Sequence, residues 1–248
     1  MLNPVWLLAL AAVFGLLLSG TGAAQSPLTF KTAKGPLEVT PVGHGSLMFR
    51  FDGLTIHVDP YARVADYSKL PPADQVWITH NHPDHHDPTA LARVATVETR
   101  FFADPDTAKA LAGSGRVTTL RNGDRLDVAE NLRLEAVPAY NLVRGPRPGA
   151  LFHPKGWGNG YVADFAGFRV YIAGDTECIP EMGRLGPIDL AFLPINLPYT
   201  MTPEEAVGCI KVISPAVVIP YHQGDADPNT VAQLLEGSEI EVRVLELP

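Results

Sequence analysis

The chain has 248 residues, of which 46% are hydrophobic and 19% are charged. This length and apolar content suit one globular domain with a sizeable core and exclude an intrinsically disordered chain. The formal net charge is −8. Because proteins that bind nucleic acids need a basic face, this charge argues against a nucleic-acid partner and favours a small-molecule substrate.

The N-terminus carries an apolar run over residues 5–18, followed by small and polar residues up to Ala24. This pattern is typical of a secretory signal peptide. It predicts export to the periplasm or the medium, with cleavage after Ala23 or Ala24 and a single domain over 25–248. The basic residues that usually precede such a run are missing, since Lys31 is the first Lys or Arg. The competing interpretation is an uncleaved membrane anchor, but the run is shorter than the ~20 residues of a spanning helix.

Cys178 and Cys209 are the only cysteines of the chain. In an oxidising compartment they could form a disulfide. Two small buried apolar residues are an equally good interpretation, because the sequence alone does not place them close together.

Three strands are predicted over residues 37–42, 46–51 and 54–58, and Asp52-Gly53 is a strong signal for a hairpin turn between the last two. Farther along, the apolar patterns predict strands over 75–78, 101–103, 117–137, 161–165, 168–173, 189–194, 216–220 and 240–245. They predict helices over 89–94, 105–111 and 231–235, and a further helix that begins with a capping box at Thr202–Glu205. The apolar pattern of the first helix continues to Val97. Residues 138–159 lack a regular pattern and are rich in Pro, Gly and Arg, which predicts a functional loop.

The strand at 75–78 leads directly into the densest group of potential metal ligands. Residues 80–86 contain four of the eight histidines of the chain. Side chains two apart on an extended backbone point the same way, so His80 and His82 could share one metal. A turn through Pro83 would bring Asp84 and His85 toward a second point.

The pattern H-x-H-x-D-H at residues 80–85 resembles the signature of the metallo-β-lactamase superfamily. Two further motifs extend the resemblance over nearly the whole mature chain. Gly174-Asp175-Thr176 resembles the bridging-carboxylate motif, and Pro220-Tyr221-His222 resembles the last histidine motif. The resemblance implies an α/β fold of the αββα sandwich type, with metals at one edge of two facing sheets.

The resemblance also implies a set of ligands. His80 and His82 would bind a first metal, while Asp84, His85 and His222 would bind a second, and Asp175 would bridge the two. This mixture of nitrogen and oxygen donors suits two Zn²⁺ ions, and Mn²⁺ or Fe²⁺ would also fit.

The chain departs from the family pattern at the third motif, where Asn141 stands in place of the usual histidine. Asparagine is a poor zinc ligand, so either the first metal is weakly held or another group enters. His153, in the same irregular region, is the candidate replacement, as a ligand or as a substrate contact. The alternative is an exposed loop histidine.

Several other residues are candidates for the neighbourhood of the site. His44 lies between glycines and resembles a Gly-His-Ser element of the lactonase-like and phospholipase-D-like branches, so it could line a substrate pocket or instead bond to backbone. Asp59, at a strand end, is predicted to orient the metal loop by accepting hydrogen bonds. His57 is expected to be structural, and His86 to point away from the ligands. The candidate substrate contacts in the irregular region are Tyr140, Asn141, Arg144, Arg147 and Lys155.

Two metals that share a water would lower its pKa and hold a hydroxide as nucleophile, with Asp84 orienting it or taking its proton. This chemistry predicts hydrolysis of an ester, lactone, amide or phosphodiester. The motifs look most like the lactonase-like and N-acyl-phosphatidylethanolamine phospholipase-D-like branches. A β-lactamase fits less well, since those enzymes commonly have cysteine in place of Asp175. A second hypothesis, motivated by Asn141, is a non-catalytic metal-binding or ligand-binding module on the same fold.

Overall fold

The computed structural model describes residues 27–245 and residue 247, so the predicted leader and its cleavage site lie outside the described residues. These residues form two seven-stranded sheets. The first sheet contains, in order, β1 (Leu28–Thr32), β2 (Gly35–Gly43), β3 (Ser46–Phe51), β4 (Leu54–Val58), β5 (Gln75–Ile78), β6 (Arg100–Ala103) and β7 (Arg116–Thr119). The second contains β8 (Arg125–Ala129), β9 (Leu132–Ala139), β10 (Gly158–Phe165), β11 (Phe168–Ile172), β12 (Leu190–Pro194), β13 (Val217–Tyr221) and β14 (Glu241–Val242).

Four α-helices connect these strands: α1 (Pro88–Val94), α2 (Pro105–Ala110), α3 (Pro203–Ile213) and α4 (Asn229–Leu234). Two short 3₁₀ helices cover Tyr67–Lys69 and Pro180–Arg184. In the described part of the chain, each helix is too short or too polar to cross a membrane.

The alternation of side chains along the strands explains the layers. In β5, Trp77 points between the two sheets and packs near Phe49 and Phe165, whereas Val76 and Ile78 point to the other face and contact the layer of α1 and α2. α3 and α4 cover the outer face of the second sheet in the same way. The predicted αββα sandwich is therefore confirmed.

Strand direction decides where polar side chains gather. The neighbours from β4 to β7 run parallel, and so do the neighbours from β11 to β14. Parallel strands end at the same edge of a sheet, where α/β proteins place their binding sites. In this chain the residues that follow β4, β5, β11, β12 and β13 are Asp59, His80, Asp175, Asn196 and His222.

Local signals that involve turns and caps were read correctly. Asp52 and Gly53 form the β3–β4 turn with positive φ, and Thr202 and Glu205 form the predicted capping box. The extended patterns were less accurate. β1 was not predicted, and the last strand contains only the two residues that pair with β13. The helix predicted over 89–94 is confirmed, whereas the apolar pattern to Val97 continues beyond its end.

The two cysteines are joined. Cys178 and Cys209 form a disulfide, with their Cα atoms 5.4 Å apart. It connects the segment after β11 to α3, so the alternative that the sequence left open is resolved in favour of pairing.

Candidate metal centre

The loop between β5 and α1 is fixed at both ends. Asp59 accepts hydrogen bonds from the Thr79 amide (2.8 Å) and hydroxyl (2.6 Å), as predicted for an orienting carboxylate. Asp87 caps α1 through the Thr89 amide (2.8 Å) and also accepts the Ala62 amide (2.8 Å). Inside the loop, the amide of His85 bonds to the His82 carbonyl at 3.0 Å. A loop with these anchors presents its side chains rigidly.

The first group of donors consists of three imidazoles. His82 Nδ1 lies 3.0 Å from His80 Nε2 and 3.2 Å from His153 Nε2. His153 Nε2 also lies 3.4 Å from Asp175 Oδ2. The irregular region therefore supplies a histidine to this group, at the place that Asn141 does not fill.

The second group of donors lies on the other side of Asp175. His85 Nε2 and His222 Nε2 are 3.2 Å apart, and each lies 3.4 Å from Asp175 Oδ1. Asp84 Oδ2 is 3.4 Å from His222 Nε2 and 3.6 Å from His85 Nε2. One oxygen of Asp175 thus faces each group, which is the arrangement that a bridging carboxylate requires.

The donor chemistry fits metal ions. Asp175 is buried, and within the described residues its Oδ1 makes no hydrogen bond, although a buried polar atom without a partner is rare. Burial lowers the pKa of His80 and His82, and lowers that of His153 to about 4 despite the opposing charge of Asp175, so these rings are neutral donors near pH 7.

The acidic side chains are held as anions. Burial would raise the pKa of Asp84, but hydrogen bonds from His222 and His44 lower it. Burial would also raise the pKa of Asp175. The charges of His222 and His85 outweigh this effect, so the pKa of Asp175 lies well below its usual value. The pKa of His85 is raised, against its burial, by Asp175 and Asp59. A positive charge at this point balances the carboxylates, a role that a divalent cation could equally fill.

The second group rests on further buried contacts. His85 Nδ1 lies 2.8 Å from Asp59 Oδ2, and His222 Nδ1 lies 3.1 Å from the Asn196 side-chain amide. A Cβ atom on Gly45 would meet His85 Cε1 at 3.1 Å and His222 Cδ2 at 3.2 Å, so a larger residue would force both rings to shift. Such partners fix ring orientation at metal sites.

Backbone strain is concentrated at the same edge. His44, Asp59 and His222 adopt left-handed φ angles of 48°, 44° and 47°. Non-glycine residues adopt this conformation at an energetic cost, and they occur preferentially at functional sites.

His153 is positioned by Asn141. The Oδ1 atom of Asn141 accepts the His153 amide at 2.8 Å and lies 2.7 Å from His153 Nδ1, so it orients the ring with Nε2 toward His82. The Asn141 amide nitrogen is held in turn by the Tyr199 carbonyl (2.8 Å) and by Glu177 (3.2 Å).

Glu177 is a buried carboxylate that anchors the start of the irregular region. It accepts the backbone amides of Leu142 (3.1 Å), Val143 (3.2 Å) and Arg144 (2.7 Å) in addition to the Asn141 side chain. A chain of hydrogen bonds therefore leads from Glu177 through Asn141 to His153.

Two predicted substrate contacts are corrected by these positions. Asn141 is buried, its side chain bonds to His153, Tyr199 and Glu177, and it does not line the cavity. Tyr140 is also buried, and its hydroxyl donates to Glu181 Oε2 at 3.0 Å, away from the imidazoles. Two of the three expected cations of this region are engaged too: Arg144 pairs with Glu205 (2.7 Å) and Lys155 with Glu181 (2.6 Å). The third, Arg147, is exposed and does not line the cavity, so it is not placed as a substrate contact.

The remaining candidates are placed as follows. His44 lines the cavity above the donors, with Nε2 2.9 Å from Asp84 Oδ2 and its ring 3.7 Å from that of His222. His86 lies outside both groups and contacts Asn81 at 2.8 Å. His57 is buried behind β4 and contacts the Pro71 carbonyl at 3.0 Å, as predicted for a structural residue.

The donors open into a cavity of about 640 Å³. Its wall includes Tyr61, Arg63 and Tyr199, none of which the sequence reasoning had identified. Asn196 was also missed, although it follows a buried strand just as Asp175 and His222 do, and this signal could have found it.

Comparison with known proteins agrees with the geometry. A family model for the beta-lactamase superfamily domain matches residues 38–222. The chain belongs to the metallo-β-lactamase superfamily. A UPF0173 metal-dependent hydrolase of Solibacter usitatus is 31% identical over 233 residues, which cover 85% of this chain and 97% of the relative.

Two solved structures are similar to this chain over most of its length. A protein of Parabacteroides distasonis, assigned provisionally as a metal-dependent hydrolase, is 43% identical, with a TM-score of 0.84 over 91% of this chain and 100% of that one. Igni18, a metallo hydrolase of Ignicoccus hospitalis, is 29% identical, with a TM-score of 0.71 over 85% and 95% of the two chains. The proteins to which this chain is similar are thus named as metal-dependent hydrolases or metallo hydrolases.

Proposed function

We propose that this protein is a hydrolase that uses two metal ions to cleave an ester, lactone or phosphodiester bond in a small molecule. The observation that carries the proposal is the position of Asp175, whose two oxygens each face a separate group of donors next to one cavity. Two ions at such a site would acidify a shared water and polarise the oxygen of the scissile bond.

Each side chain has a role that follows from its position. His80, His82 and His153 would hold the first ion, Asp84, His85 and His222 the second, and Asp175 both. Neutral imidazoles and ionised carboxylates are the forms that bind metals, and the pKa shifts of His80, His82, His153, Asp84 and Asp175 favour those forms.

Asp84 is our candidate for the proton acceptor. About 31% of its side chain is exposed, at the cavity, whereas Asp175 is buried. His44 Nε2 engages Oδ2 at 2.9 Å, which leaves Oδ1 as the oxygen that can take a proton from water. His44 also borders the space where the leaving group would lie.

Zinc is the metal we propose. Three histidines in one group, and two histidines with carboxylates in the other, suit its preference for nitrogen and oxygen ligands. Manganese and iron accept the same donors, so metal occupancy has to be measured on protein purified without added metal.

Metal analysis combined with a substrate panel tests the function. Purified protein is analysed for metal content and assayed with p-nitrophenyl esters, γ- and δ-lactones and bis-p-nitrophenyl phosphate, before and after chelation. We expect two metal equivalents per chain and turnover that chelation removes and zinc restores. One tightly held metal without turnover would instead support the non-catalytic binding module.

We also propose that the chain is exported and cleaved after Ala23 or Ala24. The apolar run of the leader supports this, and so does the Cys178–Cys209 disulfide, because disulfides persist mainly in oxidising compartments. N-terminal sequencing of protein from cell fractions tests it: a mature start at residue 24 or 25 is expected, and an intact Met1 in the cytoplasm would contradict it.

A further inference from the structure

The cavity beside the metal centre has a distinctly apolar wall. Tyr61, Val64, Phe152 and Tyr199 line it together with the polar donors, within a volume of about 640 Å³. Phe152 packs edge-on against Tyr199, with ring centroids 4.9 Å apart. A volume and lining of this kind suit a small organic molecule with a substantial apolar part.

Exposed apolar side chains lie next in sequence to residues of the cavity wall and of the donor support. Leu142 and Val143 lie on one bordering loop, and Leu197 and Tyr199 on another, and all four are at least 44% exposed. The two loops are tied together, because the Asn141 side chain donates to the Tyr199 carbonyl at 2.8 Å. Exposed apolar residues that adjoin a pocket mark a binding surface rather than chance exposure.

Arg63 lies among the apolar residues that line the cavity. Arg63 is the only Lys or Arg that lines the cavity. In the part of the chain that the structure describes, no carboxylate forms an ion pair with it, whereas Arg144 and Lys155 nearby are both paired. An arginine without an ion-pair partner beside a substrate cavity is suited to a carboxylate, phosphate or sulfate group.

We propose that the substrate is an anionic amphiphile. An acyl or aryl group packs against Tyr61, Phe152 and Tyr199, and an anionic group separate from the scissile bond pairs with Arg63. Placing the scissile bond at the donors rests on the proposed function, but the selection of an anionic apolar molecule does not.

The charges near the cavity decide how this selectivity is read. The chain has a formal charge of −8 and attracts cations in general, whereas bound zinc ions attract anions. The part of the anion preference that Arg63→Met removes is therefore the part that Arg63 supplies.

The test is a calorimetric titration of the zinc-loaded protein with three molecules that cannot be hydrolysed: 1-octanesulfonate, octyltrimethylammonium and ethanesulfonate. We expect octanesulfonate to bind at least about thirtyfold more tightly than ethanesulfonate, because each buried methylene adds a few-fold in affinity. It should bind about fivefold more tightly than the cationic amphiphile, a modest factor because Arg63 is exposed.

Three variants assign the effects. Arg63→Met should weaken octanesulfonate about fivefold and remove the preference for the anion. Tyr199→Ala should reduce the chain-length effect and leave the charge preference. Arg147→Met is the matched control, because Arg147 is exposed but does not line the cavity, and it should change neither.

Binding that is independent of chain length, or an Arg63→Met protein that binds octanesulfonate like the wild type, would overturn the proposal. The two proposals fail separately. Hydrolysis of the generic panel without anion preference would refute only the substrate class, whereas selective binding of octanesulfonate without turnover of any ester, lactone or phosphodiester would refute only the proposed function.

Discussion

The proposed ligand from the irregular region and the proposed ligands from the motifs are held in place differently. The motif ligands sit at strand ends or on the anchored β5–α1 loop, with Asp59 and Asn196 directly behind them. The loop ligand, His153, depends on Asn141 and on Glu177 behind it. Both arrangements bring an imidazole to within 3.4 Å of Asp175.

This difference shows what a metal site requires from the chain. The histidine need not come from a fixed place in the sequence, provided that some polar group fixes the ring in position. Asn141 bonds to His153 here, whereas the resemblance to the superfamily implies a histidine ligand at its position. Because the loop ligand rests on one amide, it should also be the part of the centre that is easiest to disturb.

The largest effect should come from Asp175, which joins the two groups. Asp175→Asn removes the charge that faces both sets of imidazoles, so we expect both metals to be weakened and kcat/KM to fall more than about a thousandfold. Metal analysis and steady-state kinetics measure this. Asp127→Asn, in an exposed ion pair with Arg133, is the control and should behave as wild type. Retention of one full-strength metal would show that the two groups are independent.

Removing the loop ligand should separate the two groups. His153→Ala should leave one metal equivalent and lower kcat/KM more than about a hundredfold, because the motif ligands of the second group remain intact. His86→Ala is the matched control, since His86 belongs to the histidine-rich loop but lies outside both groups. Two metals held with unchanged affinity would exclude His153 as a ligand.

Removing the disulfide tests whether it helps to hold His153 in position through the neighbouring Glu177. Cys178 follows Glu177, and the link to Cys209 closes a sequence separation of 31 residues. The double variant Cys178→Ala/Cys209→Ala should lower the free energy of unfolding by about 3–4 kcal/mol. Denaturant unfolding measures this loss. The affinity for the first metal should fall more than the affinity for the second. An equal fall in both affinities would show that the disulfide does not act on His153 in particular.

A smaller effect is expected for the residues behind His153. Asn141→Ala or Glu177→Gln should weaken one of the two metals about tenfold to a hundredfold and leave the other unchanged, as is usual for groups that orient a ligand. Competition with a metal chelator measures the two affinities. Asn131→Ala changes an exposed turn amide bonded to Asp52 and should have no effect. If Asn141→Ala lowered the affinity for both metals, Asn141 would support both groups of donors and not His153 alone.

The smallest effect concerns the sheet behind the motif ligands. Burial lowers the pKa of His57 from 6.5 to about 4, so the unfolded chain binds a proton that the folded protein rejects. Stability is therefore lost as pH falls from about 6.5 toward 4, by about 1–2 kcal/mol between pH 7 and pH 5. His57→Gln should flatten this part of the pH–stability curve of chelated protein. An unchanged slope would contradict the buried, neutral state of His57.

The sequence predicted the features that depend on local chemistry. The Asp52-Gly53 hairpin and the Thr202 capping box follow from backbone preferences of a few residues. The resemblance implied metals at one edge of two facing sheets, and the structure shows that parallel pairing brings the strand ends to that edge. Their assignment as metal ligands stays a prediction that the structure makes geometrically reasonable.

The features that the sequence did not reveal depend on long-range packing. Tyr140 and Asn141 were expected at the substrate because they lie in the irregular region, but contacts with Glu181 and Glu177, some forty positions away, turn them elsewhere. Arg63 lies in an open connection without any pattern, and only the folded structure brings it to the cavity. The short β14 was overestimated because an apolar pattern does not show how much of a strand finds a partner.

The most direct test of the account is anomalous X-ray diffraction from crystals of the zinc-loaded protein. The account predicts two zinc peaks, one among His80, His82 and His153 and the other among Asp84, His85 and His222, with Asp175 bound to both. A single peak, or a first peak without His153 as a ligand, would contradict it.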